Sequence, residues 1–498
     1  MDARRKFTLA AVVIVTLALG TVAFAAEVPA ESRIVSAGLF KNGLAVVTRA
    51  VSVEGPGTYV VADVPNPVHG TFWIESDAVV ETRVTQRTVR EPVRPNAREN
   101  IQEDIAGRSF LVLDTDKGRI YVDSSMIAQM SAEGRDVLTT RRRLPVLVLT
   151  VKEVPSGSGM ILISYLEKGM AWAPSYQVDI SGEKELTIRQ KAVIKNELAD
   201  LQEAEVQLIS GFPSVQFGHV TSLLSASTTL NTFFQQLAQD PRRATGMGQV
   251  VTQQAVMFNA AIAEPGLDLS ATPLGEGPDV HYQPIGKLSL AEGESISLQV
   301  AVGKAAYERI VEWIVPDTRR ADGRYIQDHE RRQNPDLYQD AAWDAVRFRN
   351  PLELPMTTAP AMIVADGRFL GQQVSYWTNK GEQATLHITK ALSVRTRAVE
   401  HELPGERQQV IWIAGDDFQK CTVKGQLMLN NHRNEDIKLV IRRRFSGELL
   451  SADGDPSSVL LEEGAYSVNE RNELLWTLTL EAGEEKTLSY TYSVLVNI

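Results

Sequence analysis

The chain has 498 residues, too many for a single hydrophobic core, so about three or four domains are expected. Its hydrophobic content of 43% and charged content of 23% are ordinary for a folded globular protein. The formal net charge of −11 argues against general nucleic-acid binding, which needs a basic surface to displace the counterions of the phosphate backbone.

The first 25 residues have the three parts of a secretory signal. Basic residues at 4–6 precede an almost wholly apolar run at 7–19, and small residues at 23–25 suit a signal peptidase. The run is short for a stable membrane span, and no later stretch is long and apolar enough to cross a bilayer. We therefore predict a signal peptide at 1–25, with an uncleaved anchor as the alternative. The protein is expected to be exported, to the periplasm or the cell exterior, with no integral membrane span after cleavage.

From residue 27 to residue 95 the pattern is one of short strands and tight turns. Asn42-Gly43 between β-prone runs is a strong hairpin signal, and the region is predicted to be an N-terminal β-domain. Two prolines and several charges near its end suit a linker. Residues 100–140 then predict a small β insertion, which is either an SH3-like barrel or a bare hairpin.

A central β-sandwich region is predicted at 144–397. An apolar run at 160–163 and an alternating run at 176–180 flank a turn at 167–169, which predicts one hairpin. Trp172, Pro174 and Tyr176 are its expected structural anchors, because large aromatic side chains fix a strand on a core.

Two parts of this central region are not read as strands. Residues 225–283 are rich in glycine, proline and small polar residues, and predict a long loop, flexible or partly helical, that interrupts the sandwich. Residues 336–347, which contain Trp343, are the best candidate for a short helix. A second β-sandwich is predicted at 398–498, so the expected fold is mainly β and multidomain.

The chain carries no recognisable catalytic or metal-binding motif. A serine nucleophile elbow and a phosphate-binding loop are absent from the sequence. The seven histidines are not paired at ligand spacing, and the single cysteine, Cys421, reads as a small buried apolar residue. We therefore predict no catalytic residue, no metal and no cofactor.

Two short segments are the candidate ligand or partner contacts. Trp377 lies beside Tyr376 and a polar turn, so it is the tryptophan with the best prospect of an exposed ring. Asp416 and Asp417 follow a strand. They suit a calcium or glycosidase site, or a turn in which carboxylates cap backbone N–H groups.

The run from Tyr165 to Tyr176, with its Ala-Trp-Ala-Pro-Ser-Tyr core, resembles the Ala-Trp-x-Pro-x-Tyr segment of mucoidy-inhibitor-A-like proteins. Their shared C-terminal module is a domain of unknown function of the DUF4139 type. The resemblance implies an envelope protein linked loosely to exopolysaccharide phenotype and supplies no catalytic residues. Two features depart from the family: the small β unit stands where many members have a coiled coil, and the insertion at 225–283 is unusual.

Together these observations predict a secreted or periplasmic, non-enzymatic scaffold or binding module of the bacterial envelope. Its partner would be an envelope protein or a polysaccharide, and not a nucleic acid. Two alternatives stay open: a carbohydrate-active hydrolase that uses Asp416 and Asp417, and a surface adhesin that binds through residues 225–283.

Overall fold

The structure is a computed structural model that describes residues 27–92, 103–105, 108–115, 118–123, 139–153, 159–211, 213, 215–239, 280–333, 335, 338–403, 410–462 and 468–498. The predicted signal peptide at 1–25 and residues 240–279 of the predicted insertion lie outside them. Strands make up 64% of the structure and helices 4%, which confirms the mainly β, multidomain prediction.

The strands of the first half are β1 (Glu27–Pro29), β2 (Ser32–Leu39), β3 (Leu44–Ser52), β4 (Gly57–Val61), β5 (Trp73–Ile74), β6 (Val79–Pro92), β7 (Glu103–Ile105), β8 (Arg108–Thr115), β9 (Gly118–Asp123), β10 (Thr139–Val151), β11 (Met160–Lys168), β12 (Met170–Asp179), β13 (Glu185–Asn196) and β14 (Leu201–Gly211). Those of the second half are β15 (Val280–Leu290), β16 (Ser295–Val315), β17 (Trp343–Arg349), β18 (Ala359–Ala365), β19 (Arg368–Ser375), β20 (Gln383–Lys390), β21 (Val394–Glu402), β22 (Val410–Ile413), β23 (Asp416–Asn431), β24 (Ile437–Ser446), β25 (Glu448–Ala452), β26 (Ser457–Glu462), β27 (Arg471–Leu480) and β28 (Glu485–Asn497). The helices described are α1 (Leu230–Ala238) and α2 (Asp328–Gln333).

The chain divides into two compact units. Unit 1 comprises the described residues within Met1–Ile34, Thr48–Tyr165 and Val220–Gln235. Unit 2 comprises those within Val35–Val47, Leu166–His219 and Gln236–Ile498.

Unit 1 is built on a four-stranded sheet with the order β1-β4-β10-β6. Its longest pairing joins β10 to β6 in antiparallel register, from Thr139 opposite Pro92 to Val151 opposite Val79. Within the predicted insertion at 100–140, the described strands β7, β8 and β9 form a three-stranded antiparallel sheet.

Unit 2 is organised around β16, a single strand of 21 residues. Its first part pairs with β13 and its last part pairs with β17 and, in parallel, with β24. One strand therefore belongs to two layers of a ten-stranded sheet. β12, β13 and β18 face β17 and β20 across a first core that includes Tyr176, Ile188 and Phe348.

The second core of unit 2 lies between the layer of β16, β24 and β27 and a five-stranded sheet of β21, β22, β23, β25 and β28. Trp313 and Trp476 are fully buried in it. Gly425 lies opposite Tyr490, and a Cβ at this position would overlap the tyrosine ring. The ring of Tyr490 therefore occupies the space that any larger residue at 425 would need.

The predicted hairpin around residues 167–169 is not formed, because β11 and β12 belong to different sheets. β12 pairs with β13 and β18, whereas β11 pairs with β5. Gly169 at the junction has φ 129°, and its N–H donates to the carbonyl of Gly43. Two alternating strands separated by a glycine look the same in sequence whether the chain folds back or passes to another sheet.

The three predicted anchor residues all lie on β12 with buried side chains. Trp172 is 2% exposed and donates from Nε1 to the carbonyl of Ile209 at 3.1 Å. Tyr176 is also 2% exposed, and its hydroxyl accepts from the N–H of Thr357 at 2.8 Å. Pro174 is buried between them in the strand.

The prediction of a short helix at 336–347 is wrong. Residues from Trp343 onward form strand β17, which pairs with β16 on one side and β20 on the other. Val346 and Phe348 point into the first core, at the spacing of two that a strand requires. The hydrogen bonding of β17 to a strand on each side places these residues in the sheet and overrides any local preference for a helix.

Candidate functional site

Asp416 and Asp417 begin β23 at the end of a hairpin with β22. The two turn residues, Ala414 and Gly415, have φ 53° and 102°. Positive φ at both central residues is the requirement of a type I′ turn, whose twist matches that of a hairpin. Both aspartates are exposed there. Both aspartates are therefore strand residues directly after the turn, and not residues of the turn itself.

The same hairpin presents a tryptophan that the sequence reasoning missed. Trp412 is 72% exposed, and its direct cross-strand partner is Asp417. Val410, two residues earlier, is 53% exposed, whereas Phe418, which is paired with Ile411, is buried. Residues two apart share a strand face. The hairpin of β22 and the start of β23, here called the Trp412 hairpin, therefore has one face on the protein and one aromatic face in solvent.

The chemistry of this face follows from its side chains. A flat indole ring offers a large apolar surface together with an N–H donor. The side chains of directly paired antiparallel residues lie about 5 Å apart, so the Asp417 carboxylate borders the ring. A carboxylate accepts hydrogen bonds from hydroxyl groups. The arrangement can cover the apolar face of a sugar ring and accept from its hydroxyls at the edge.

Tyr376 and Trp377 lie between β19 and β20, away in sequence from the Trp412 hairpin. The indole of Trp377 is half-buried, donates to Asn379 Oδ1 at 3.0 Å and lies 5.7 Å from the ring of His281. Its ring is thus already partly covered by neighbours. The four predicted contact residues are divided between two segments, with Asp416 and Asp417 in one and Tyr376 and Trp377 in the other.

Buried charges of unit 2 are held in networks within the sheets. Arg443 is 1% exposed, and its Nη2 lies 2.6 Å from Glu400 Oε1, which also accepts from the Tyr490 hydroxyl at 2.6 Å. Burial alone would raise the pKa of Glu400, but Arg443 and the hydroxyls of Thr318 and Tyr490 bring it below its ordinary value. This carboxylate is stabilised as an anion inside the second core.

A second network centres on Glu312 of β16, whose side chain has no exposed surface. Its carboxylate meets His387 Nε2 at 2.7 Å and Arg442 Nε at 3.0 Å. Burial opposes ionisation, yet the hydrogen bond and charge of His387, followed by Arg442, lower the pKa of Glu312 to about 2. Arg442 continues to Glu473, which also pairs with Arg444. These charges tie neighbouring strands together.

In the part of the chain that the structure describes, no group of three or more histidine, cysteine, aspartate or glutamate side chains is placed to hold a metal ion. The same residues include no helix with the length and apolar character needed to cross a membrane.

Compared with known proteins, the chain matches no family model and no curated protein.

Proposed function

We propose that the protein is an exported, non-enzymatic binding module of the bacterial envelope and that the Trp412 hairpin is its polysaccharide contact. The signal predicted at 1–25 supports export. The resemblance of residues 165–176 to mucoidy-inhibitor-A-like proteins supports a place in the envelope and a link to exopolysaccharide.

The observation that carries the proposal is the exposure of Trp412 beside Asp417. A tryptophan that is 72% exposed leaves a large apolar surface in water. If a sugar ring covers about 100 Å² of it, the contact contributes about 2 kcal/mol, which is roughly 30-fold in affinity. A single contact of this size is weak, so a repeating polymer that offers many copies of the same ring is the fitting ligand.

The test is affinity electrophoresis or a pull-down of the purified protein with polysaccharide extracted from bacterial envelopes. Trp412→Ala should weaken binding by about 10-fold or more. Trp73→Ala is the matched control, because Trp73 is also a strand tryptophan and is 68% exposed. It should leave binding within about two-fold of the parent. Absence of binding by the parent, or equal loss in both variants, would contradict the proposal.

Asp417→Asn separates binding from hydrolysis at the same hairpin. The proposal expects weaker binding and no new reducing ends when the parent protein is incubated with the polysaccharide. Release of reducing ends that stops in the Asn variant would instead establish the hydrolase alternative. Retention of polysaccharide binding by Trp412→Ala together with its loss on deletion of 240–279 would establish the adhesin alternative.

A further inference from the structure

Strand β26 (Ser457–Glu462) is the last strand of the ten-stranded sheet of unit 2. Among the described residues it pairs with β27 on one side, and no strand pairs with its other side. The N–H and C=O groups along an unpaired strand edge can accept a further strand. A register shift after Leu460 leaves residues 457–460 as the regular part of this edge. We call the unpaired side of β26 the open edge.

The side chains of β26 are exposed on both faces of the strand. Val459, Leu460 and Leu461 are 49%, 48% and 41% exposed, although successive residues of a strand point to opposite faces. A strand that only covered a core would bury one of these faces. Both faces of β26 therefore present apolar surface to solvent next to the open edge.

Two other edge strands of the protein carry features that prevent the addition of a strand. β15 contains Pro284, which has no N–H to donate, and the exposed Lys287. β21 carries the exposed charges of Arg395 and Arg397. Residues 457–461 contain neither a proline nor a charged residue. The open edge thus lacks the protection that these two edges have.

The charges at the ends of β26 indicate what kind of strand would fit. The exposed Asp455 lies two residues before the strand, and Glu462 is its last residue, so an acidic residue stands at each end. Antiparallel pairing of two β26 strands from two copies of the chain would set the acidic start of one against the acidic end of the other. Lysine or arginine at both ends of a partner strand would instead meet opposite charge.

We propose that the open edge binds an extended segment of another protein, with apolar residues in its middle and basic residues at both ends. The segment adds to the sheet as a further strand. Val459, Leu460 and Leu461 contact its apolar residues, and the negative charges of Asp455 and Glu462 attract its ends. Strand addition at a sheet edge is a general mode of peptide recognition. The open edge shares no residue with the Trp412 hairpin, so this proposal does not rest on polysaccharide binding.

The test is fluorescence anisotropy of the purified full chain with a dye-labelled peptide, Lys-Lys-Val-Ile-Val-Thr-Lys-Lys. This lysine peptide should bind with a Kd below about 1 mM, and about 10-fold or more tightly than the same core flanked by glutamates. N-methylation of its two central residues should weaken binding by about the same factor, because it removes N–H groups that pair with the edge. No binding at about 1 mM lysine peptide, or equal binding of either altered peptide, would overturn the proposal.

Variants of the protein test the same edge. Val459→Lys places a charge on the open edge and should weaken binding of the lysine peptide by about 10-fold or more. Val193→Lys is the matched control, because Val193 is 42% exposed but lies on β13, which is paired on both sides. It should leave binding within about two-fold of the parent. Equal effects of the two changes would overturn the proposal.

Asp455→Asn tests the charge at one end of the strand. Asp455 has φ 44°, a conformation that asparagine also adopts readily, so the change removes the charge and keeps the backbone. It should weaken binding of the lysine peptide by about 2–5-fold and reduce the salt dependence of that binding. Affinity and salt dependence equal to those of the parent would contradict the role given to this carboxylate.

Sedimentation velocity distinguishes a partner segment from a second copy of the chain. The parent should be a monomer at about 50 μM protein. A dimer that Val459→Lys dissociates would show that a second copy occupies the open edge, and would overturn the proposed occupant. Circular dichroism and the Tm should match the parent closely for all three variants, because the replaced side chains are exposed.

Discussion

The strongest stability prediction concerns Arg443, the arginine buried in the second core. Arg443→Met keeps most of the side-chain volume and removes the charge. Glu400 would then remain 5% exposed without its cation, although the Tyr490 hydroxyl still donates to it. Loss of one partner of a buried ion pair typically costs about 3–5 kcal/mol, because the remaining charge stays desolvated.

The cost should depend on pH in a defined direction. In the parent, the pKa of Glu400 lies below its ordinary value, so its stabilising effect is present above the unfolded pKa and is lost as pH falls through the folded pKa. Burial is already the largest single influence on Glu400, and without the charge of Arg443 to oppose it, burial raises that pKa. The variant then gains stability on taking up a proton. The destabilisation by Arg443→Met should therefore be larger at pH 7.5 than at pH 4.5, by about 1.4 kcal/mol for each unit that the pKa rises.

Urea denaturation followed by tryptophan fluorescence reports on this core, since Trp313 and Trp476 lie in it. Arg395→Met is the control, because Arg395 is an exposed arginine on the strand that carries Glu400, and it should change stability by less than about 0.5 kcal/mol. The double variant Arg443→Met/Glu400→Leu should cost about 1–3 kcal/mol less than the sum of its single changes. A cost for Arg443→Met below about 1 kcal/mol, or one that is equal at both pH values, would refute the reasoning.

Three further changes test other contacts by the same denaturation assay. Gly425→Ala should destabilise by about 1–3 kcal/mol, since the new Cβ overlaps the ring of Tyr490. Glu312, with a pKa of about 2 against an ordinary 4.5, should contribute about 3 kcal/mol above pH 4.5 that is lost as pH falls through about 2, and Glu312→Gln should remove this acid-dependent part. Tyr176→Phe should cost about 1–3 kcal/mol, because the buried N–H of Thr357 loses its acceptor.

Each of these changes has a counterpart elsewhere in the chain. Gly55→Ala places its Cβ in open space and should be nearly neutral. Glu308→Gln alters a half-exposed ion pair on the same strand as Glu312 and should cost at most about 1 kcal/mol. Tyr307→Phe removes a hydroxyl that donates to an exposed carbonyl, which water can satisfy. If a variant loses no more stability than its control, the contact named for it does not contribute to the free energy of unfolding.

Periodicity predicted the strands of this protein well, and it did so for a physical reason. Strand β13 alternates buried and partly buried residues over its length, and this alternation is visible in its sequence. Periodicity does not show which strands pair with one another. The alternating runs on either side of Gly169 are equally compatible with a hairpin and with two sheets, and only the pairing of β12 with β13 and β18 decides between them.

The candidate site was harder to predict because exposure depends on what covers a strand. Trp412 stands in Val-Ile-Trp-Ile, a tetrapeptide that reads as buried. Among the described residues, β22 pairs with the start of β23, and the exposure of Val410 and Trp412 shows that none of these residues covers the face they share. The sequence feature that could have indicated exposure is the short length of the strand, which has four residues and ends at a tight turn. A short strand at a sheet edge has few neighbours that could bury its outer face.

The burial of charged residues was also hard to predict from the sequence. Arg309 and Arg443 both lie within long strands, yet Arg309 is exposed while Arg443 is fully buried against Glu400. Whether a charged side chain has a partner depends on residues far away in the sequence. Glu400, the partner of Arg443, is 43 positions from it. Sequence therefore identifies charged residues on strands but not the ones left without a partner. An ion already paired in a core must lose one partner before it can bind another, so the buried networks of this protein serve its stability.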